Sequence, residues 1–327
     1  MKIAVYDVMD FEYPILARIK EEGKAELILT EKRLDKESMD FAAGCDGVTI
    51  LGPSVMDRGL LEELKNRGIS YLSTRTIGFD HIDVQAAKEL GIHVSNASYE
   101  PYNVADFTVM LMLMLLRKTK VSICRALVND FSLGGMQGRE MRNMTVGVVG
   151  TGKIGSHVVR NLTGFGCRLL ACDKYPSQAV AEDAEYVSLE KIYQECDIIT
   201  LHTPLTDENY HMIDKEAISK MKDGVILINT ARGALIDTED LISALESGKV
   251  GGAGIDTLEE EKGIVHHDIG TDVVEERSLF YLKQFPNVVF TQHYAFFTAE
   301  ACESMVRCGI DSLCLGAGGA FNPYEIR

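Results

Sequence analysis

Three polar side chains in the second half of the sequence have the types needed for proton-coupled chemistry at a carbonyl: Arg232, Glu261 and His293. Each follows a short apolar run that reads as a β-strand, at Val225–Asn229, Gly252–Asp256 and Val288–Phe290. In an open α/β sheet the carboxyl ends of the strands face the ligand crevice, so side chains distant in sequence can meet there. Reaction at a 2-keto or 2-hydroxy acid needs such a set. The planar guanidinium of Arg232 would grip a carboxylate and polarise the neighbouring carbonyl. His293 would give a proton to the carbonyl oxygen as hydride reaches the carbon, and take it back in the reverse direction. Glu261, bonded to the far imidazole nitrogen, would orient the ring and favour its protonated form. Each residue alone also has a plainer reading. Arg232 could be a helix-flanking surface charge, His293 one of eight histidines in a polar loop, and Glu261 part of a solvated run Glu259-Glu260-Glu261. Convergence of the three is the expectation that separates the readings.

A hydride carrier has a site of its own in Met144–Ser156. Gly150, Gly152 and Gly155 form G-x-G-x-x-G, following the apolar strand Val146–Val149 and opening a helix through Lys153 and Ile154. The first glycine allows a tight turn, the second lets backbone approach a pyrophosphate, and the third lets helix pack closely on strand. Free N–H groups at the helix start then face the phosphates. A second apolar strand, Cys167–Cys172, ends in Asp173, 18 residues past Gly155. An acid at that spacing hydrogen-bonds the adenosine ribose and repels a 2′-phosphate, which favours NAD over NADP.

The elements that must position these groups follow from the alternation of strand and helix along the chain. Before the glycine turn come strands at Ile3–Val5, Glu26–Leu29, Gly47–Leu51, Ser70–Ser73 and His93–Val94, with helices near Tyr13–Glu22, Lys36–Ala42, Met56–Arg67 and Val84–Leu90. Such alternation predicts a parallel sheet covered by helices on both faces. Asn96–Pro101 reads as a hinge, Val104–Leu116 as a buried apolar helix, and Asn129–Arg142 as a surface loop. The apolar helix is too short to span a bilayer, which needs about 20 residues. Further strands are expected at Tyr186–Val187 and Asp197–Leu201, a helix capped by Thr238 precedes Gly248, and a last helix runs from Ala299 to Leu315. The fold expected is therefore α/β, with two domains, each a doubly wound parallel sheet. The second is a Rossmann NAD-binding domain inserted into the first.

Composition is that of a globular protein, with 46% apolar and 25% charged residues. A formal charge of −16 argues against nucleic acid or an anionic membrane surface as partner. Eight cysteines without C-x-x-C pairs read as reduced, buried thiols, and Met1-Lys-Ile-Ala-Val-Tyr enters a strand with no signal-peptide pattern, so the expected location is cytoplasmic.

Five ordered stretches together resemble the D-isomer-specific 2-hydroxyacid dehydrogenases: Val149–Gly155, Leu201-His-Thr-Pro204, Ile228-Asn-Thr-Ala-Arg-Gly233, Gly254–Glu261 and Gln292-His-Tyr-Ala-Phe-Phe-Thr298. Thr74-Arg-Thr-Ile-Gly-Phe-Asp80 is similar to that family's substrate-carboxylate loop, so the resemblance covers nearly the whole chain. The branch it resembles holds the D-lactate and D-2-hydroxyisocaproate dehydrogenases. The resemblance implies Arg232, Glu261 and His293 as the catalytic set, with Glu261 preferred over its neighbours because it lies five positions after Asp256. It implies that Asp256 binds the nicotinamide carboxamide and that Thr203, Pro204 and Thr230 contact the cofactor. It further implies that the amides of Ile77 and Gly78 hold the substrate carboxylate, and that Tyr99 and Phe296 line the pocket. A split substrate domain of flavodoxin-like type (1–98 and 296–327) around an NAD domain (99–295) is implied too, as is a homodimer formed through the helix after the hinge.

Gln292 departs from the proline that these enzymes commonly carry before the histidine. The acidic insertion Gly263–Arg277, with His266, His267 and Asp268, reads as a surface loop and not a metal site, because adjacent residues point apart. The function expected is NAD-dependent, reversible reduction of a 2-keto acid, pyruvate or a larger apolar one, to its D-2-hydroxy acid. A glyoxylate or phenylpyruvate reductase of the same family is an alternative, as is an NAD-sensing, corepressor-like binding protein.

Overall fold

The structure, a computed structural model, describes residues 1–326 other than 260, 262, 272, 273 and 275. Glu260 of the acidic run and three positions of the 263–277 insertion thus lie outside the described residues. The chain forms two compact units, Met1–Glu100 with Phe297–Arg327, and Pro101–Phe296.

The first unit runs β1 (Lys2–Val5), α1 (Tyr13–Glu21), β2 (Glu26–Leu29), β3 (Gly47–Ile50), α2 (Arg58–Asn66), β4 (Tyr71–Thr74), α3 (Val84–Leu90) and β5 (His93–Ser95). Its five strands are all parallel in the order β2-β1-β3-β4-β5. Tyr6, Val48, Ile50, Leu61, Leu64 and Leu72 are fully buried together on one face. The helix expected at Lys36–Ala42 is only a 3-10 turn, Met39–Ala42. Its would-be first turn is diverted by side chains: Asp35 Oδ1 accepts from the amides of Glu37 and Ser38, each at 3.0 Å, and Ser38 Oγ accepts from Asp35 N. Short polar side chains that bind nearby backbone compete in this way with helix formation. Helix α2 starts after Met56 because Asp57 caps it, accepting from Leu60 N at 2.8 Å.

The second unit contains α4 (Tyr102–Leu116), α5 (Thr119–Leu127), β6 (Thr145–Val149), α6 (Lys153–Thr163), β7 (Arg168–Cys172), α7 (Gln178–Ala181), β8 (Glu185–Tyr186) and α8 (Leu189–Glu195). It continues through β9 (Ile198–Leu201), α9 (Lys215–Lys220), β10 (Val225–Asn229), α10 (Thr238–Ser247), β11 (Val250–Ile255), α11 (Arg277–Gln284) and β12 (Val288–Phe290). Seven parallel strands lie in the order β12-β11-β10-β9-β6-β7-β8. Strand alternation sends Ile199 and Leu227 to one buried face and Ile198 and Ile228 to the other. The strand order reverses between β6 and β9, and such a switch point opens a crevice at the strands' carboxyl ends.

Three details correct the sequence reading. Helix α5 was not foreseen, and none of its residues is buried in the chain. Cys124 on that helix is exposed, whereas Cys45, Cys196, Cys302 and Cys308 are buried; all eight thiols are free. The cap of α10 is Asp237, whose carboxylate accepts from Asp240 N at 3.0 Å, and not Thr238.

The chain then returns to the first unit as α12 (Ala299–Ala317), capped by Thr298 and packed on β4. Its Gly309 lies against Arg75, where a Cβ would come within 2.7 Å of Arg75 Cγ. Beyond it Glu325 bridges Ser95, and Ile326 N donates to Val94 O at 2.9 Å.

Candidate active site

The glycine turn leaves β6 and enters α6 directly. A Cβ on Gly155 would stand 1.9 Å from Gly150 O, and Gly150 itself is at φ +89°. Both positions therefore exclude any side chain at all. A Cβ on Gly152 would meet no protein atom within 4 Å, so that backbone faces open space at the start of α6. Lys153 and Ile154 form the first turn of this helix. Next to the turn, Asp173 Oδ2 accepts from Thr151 N and, at 3.0 Å, from Thr151 Oγ1; its Oδ1 accepts from Tyr175 N at 2.7 Å. Burial opposes the charge of Asp173, yet these hydrogen bonds outweigh it and hold the carboxyl below the usual range. An open helix N-terminus beside an ionised acid suits a pyrophosphate with an unphosphorylated ribose, which is what NAD presents.

From the far side of the switch point, His202 N donates to Val149 O at 2.7 Å, and the Thr203 methyl packs against Gly150. Burial pushes the His202 imidazole down to about 3, so the ring is neutral and structural, with Nε2 2.9 Å from Thr200 Oγ1. Pro204 O accepts from Asn209 Nδ2 at 2.7 Å, and buried Thr230 at the end of β10 shares a 2.9 Å hydroxyl contact with Thr108 of α4.

Of the three chemistry-bearing side chains of the second unit, His293 and Glu261 are in contact. His293 Nδ1 lies 2.6 Å from Glu261 Oε1, and Glu261 Oε2 accepts from Leu258 N at 3.0 Å, which holds the carboxylate at both oxygens. Arg232, at the end of the β10 loop, is close enough for its charge to act on His293; its Nη1 donates to Ala231 O and its own carbonyl accepts from Asn229 Nδ2, both at 2.8 Å. Burial alone would lower the pKa of His293. The hydrogen bond and charge of Glu261, with Asp256 behind them, outweigh burial and the opposing charge of Arg232, so the pKa stands above the ordinary histidine value.

Asp256 has a task that the sequence did not disclose. It is fully buried, and its Oδ1 accepts from Thr291 Oγ1 at 2.6 Å and Tyr294 N at 3.1 Å, while Oδ2 accepts from Ala295 N at 3.0 Å. Those groups flank His293, which sits at φ +54°. A non-glycine residue in that region is strained by roughly 1–3 kcal/mol and persists only where its surroundings impose it. Three hydrogen bonds to one buried carboxylate supply that constraint. Gln292, beside it, is exposed.

The described residues of the 263–277 insertion are half-buried or exposed, and His266 reaches the site. His266 Nε2 lies 2.9 Å from His293 O, and its ring packs near the Phe296 ring at a centroid distance of 6.1 Å. No group of three metal-ligating side chains occurs among the described residues.

In the first unit, Ile77 and Gly78 lie in the loop after β4. Asn96 Nδ2 donates to Ile77 O at 2.8 Å and Thr76 Oγ1 donates to Gly78 O at 2.6 Å. Because a trans peptide points its N–H opposite to its C=O, tying down Ile77 O also fixes the direction of Gly78 N–H. The loop is rooted by Arg75, fully buried and held by both oxygens of buried Glu12 at 2.6 and 2.9 Å. Tyr99 is half-buried near the end of the unit's first segment.

Comparison with known proteins identifies the family. Residues 109–295 match the family model described as D-isomer specific 2-hydroxyacid dehydrogenase, NAD binding domain. An aromatic 2-oxoacid reductase of Clostridium sporogenes is 45% identical over 96% of this chain and 95% of its own. A D-lactate dehydrogenase of Escherichia coli is 40% identical over the whole of both chains. The solved structure of a D-2-hydroxyisocaproate dehydrogenase superposes with a TM-score of 0.91 at 34% identity, covering 100% of this chain and 99% of that one. Glycine turn, ionised Asp173 and the His293–Glu261 pair thus stand in a chain that belongs to the D-isomer-specific 2-hydroxyacid dehydrogenases, NAD-dependent enzymes that interconvert 2-keto and D-2-hydroxy acids.

Proposed function

We propose that this chain reduces 2-keto acids with apolar side chains, from pyruvate up to aromatic acids, to the corresponding D-2-hydroxy acids. The observation that carries the mechanism is the 2.6 Å contact between His293 Nδ1 and Glu261 Oε1. It commits Nδ1 to the carboxylate and leaves Nε2 as the nitrogen that can serve a substrate. The raised pKa of His293 favours the protonated form, which donates a proton to the carbonyl oxygen. NADH, when bound, supplies the hydride. Arg232 offers a planar fork of donors to the substrate carboxylate and keeps the carbonyl polarised. In the first unit, the amides of Ile77 and Gly78 are carboxylate ligands in this reading, and Tyr99 is an apolar wall; Phe296 plays that part in the second. Gly150, Gly152, Lys153, Ile154, Gly155, Asp173, Thr203, Pro204, Thr230 and Asp256 form the cofactor side.

The side-chain range of the substrate is supported by the relatives, which include an enzyme named for lactate and one named for aromatic 2-oxoacids. NADH oxidation measured with pyruvate, 4-methyl-2-oxopentanoate, phenylpyruvate and glyoxylate tests it. Turnover of the first three above glyoxylate is the expected result, and a preference for glyoxylate overturns the apolar assignment. NADH binding without turnover of any would point to a sensing protein instead. His293→Ala should lower turnover by about 10²-fold or more while NADH still binds.

No helix among the described residues is long and apolar enough to cross a membrane. We place the enzyme in the cytoplasm, where eight free thiols and a reduced nicotinamide pool are both maintained. We also propose a homodimer, supported by an apolar loop and an apolar groove on the same unit. Leu127, Val128, Phe131 and Leu133 are 73–86% exposed, and Val109, Met110, Leu113, Met114 and Phe165 line a groove of about 510 Å³.

A further inference from the structure

His211 joins the two loops that carry Arg232 and Glu261. Its backbone runs beside the turn that follows Arg232: His211 N donates to Ala234 O at 2.8 Å, Ile213 N to Leu235 O at 3.0 Å, and Asp237 N to Ile213 O at 3.0 Å. Its ring reaches the other way. Nε2 lies 2.6 Å from Glu259 Oε1, and Nδ1 lies 3.1 Å from Asp237 Oδ2. The second oxygen of Glu259 is occupied too, accepting from Thr238 Oγ1 at 2.8 Å and Thr238 N at 3.2 Å. Glu259 is thereby fixed at both oxygens, two residues before Glu261.

The two loops also touch directly. A Cβ on Gly233 would come within 2.0 Å of the Leu258 carbonyl carbon and 2.3 Å of Glu259 N, so the residue after Arg232 must be glycine for the loops to close on each other. His211 itself sits at φ +51°, a left-handed conformation that its hydrogen bonds must hold. A strained residue, with bonds from both backbone and ring to the same two loops, is costly to keep for loop closure alone.

We infer that His211 is a positioning residue for the reaction: through Glu259 it fixes where Glu261 meets His293, and through Ala234 and Asp237 it fixes where Arg232 stands. This rests on the reading of Arg232, Glu261 and His293 as the catalytic set. The acid of an acid–imidazole pair works only at hydrogen-bond distance, and a displacement of about 1 Å in such a constellation lowers turnover by up to about 10²-fold. His211 acts on that distance from outside the site.

Two variants isolate the link. His211→Asn keeps a residue that tolerates the left-handed backbone but is too short to reach Glu259. Glu259→Gln keeps the shape and removes the charge. Both are assayed with pyruvate and with phenylpyruvate, together with their double variant, His293→Ala and the wild type. In each single variant kcat should fall between about 10- and 10²-fold, with a larger isotope effect from NADH deuterated at the transferred position, because chemistry becomes the slow step. NADH affinity by fluorescence titration should stay that of the wild type. The double variant should be no slower than the worse single one, since both break the same link. Wild-type kcat and isotope effect in Glu259→Gln, which preserves the loop's shape, overturn the inference; so do losses that follow melting temperature with no change in isotope effect. If His293→Ala retains turnover, the catalytic reading has failed. If it is inactive while the other variants behave as wild type, only the role of His211 has failed.

Discussion

In the proposed mechanism, Glu261 would set the pH range in which His293 donates a proton. Burial favours the neutral ring, and the 2.6 Å bond to the carboxylate reverses that preference. With His293 as the proposed proton donor, the rate of keto-acid reduction should decline as pH rises through the raised pKa, while oxidation of the hydroxy acid gains over the same interval. Glu261→Gln removes the charge and keeps a hydrogen-bonding group. The declining limb of kcat/KM for reduction should then move to lower pH, and maximal turnover should fall by about 10-fold or more. A limb that stays where the wild type has it would separate Glu261 from the titration of His293. At this scale the sequence was informative about identity and silent about support. Only the family resemblance, whose glutamate follows its aspartate by five positions, picked Glu261 out of a run of glutamates, and the structure puts Glu261 on His293 and Glu259 on His211. Nothing in the local pattern could show that Asp256 serves the loop at 291–295, because its three partners lie 35–39 residues away.

Among the elements, the β6–α6 turn contains glycines that are needed for different reasons, and a single methyl tells them apart. At Gly155 the methyl would overlap Gly150 O, so Gly155→Ala must push helix from strand and should cost about 1–3 kcal/mol of stability. At Gly152 the methyl meets no protein atom and φ is −64°, so folding should be unaffected. Its space is the one a pyrophosphate would take. Urea unfolding should therefore show a lowered midpoint for Gly155→Ala and a wild-type curve for Gly152→Ala, while NADH titration should show weaker binding for both. A stable Gly152→Ala with wild-type NADH affinity would mean that this backbone does not approach the cofactor. Apolar runs and well-punctuated helices were legible: β2, β10 and β12 fall on the residues read from their apolar stretches, and α3 on those read from the stop at Gly91. Helices α7, α8 and α9 were not, since each has only one or two buried residues, too few to set a period, and none ends at a glycine. Helix α5 escaped for a related reason, having none at all.

For the molecule as a whole, that last helix is the best guide to assembly. A helix with no buried residue, followed by Val128, Phe131 and Leu133 left mostly in solvent, is unfavourable for an isolated chain whose other large apolar side chains are chiefly packed away. On the same unit, the groove between Met110, Leu113, Met114 and Phe165 offers an apolar surface of the kind such side chains fill. When one unit carries both a protrusion and a recess, a twofold axis can satisfy both at once, because each copy gives and receives the same contact. A heterologous partner would need only one of the two. Sedimentation should accordingly give the wild type twice the 36.1 kDa of a single chain. Phe131→Asp with Leu133→Asp places two charges where a dry contact would form, and should yield single chains at micromolar concentration. NADH affinity should persist in that variant, since the glycine turn and Asp173 take no part in the apolar surface. A wild type that sediments as one chain, or an aspartate variant that remains a dimer, would assign the apolar loop to another role.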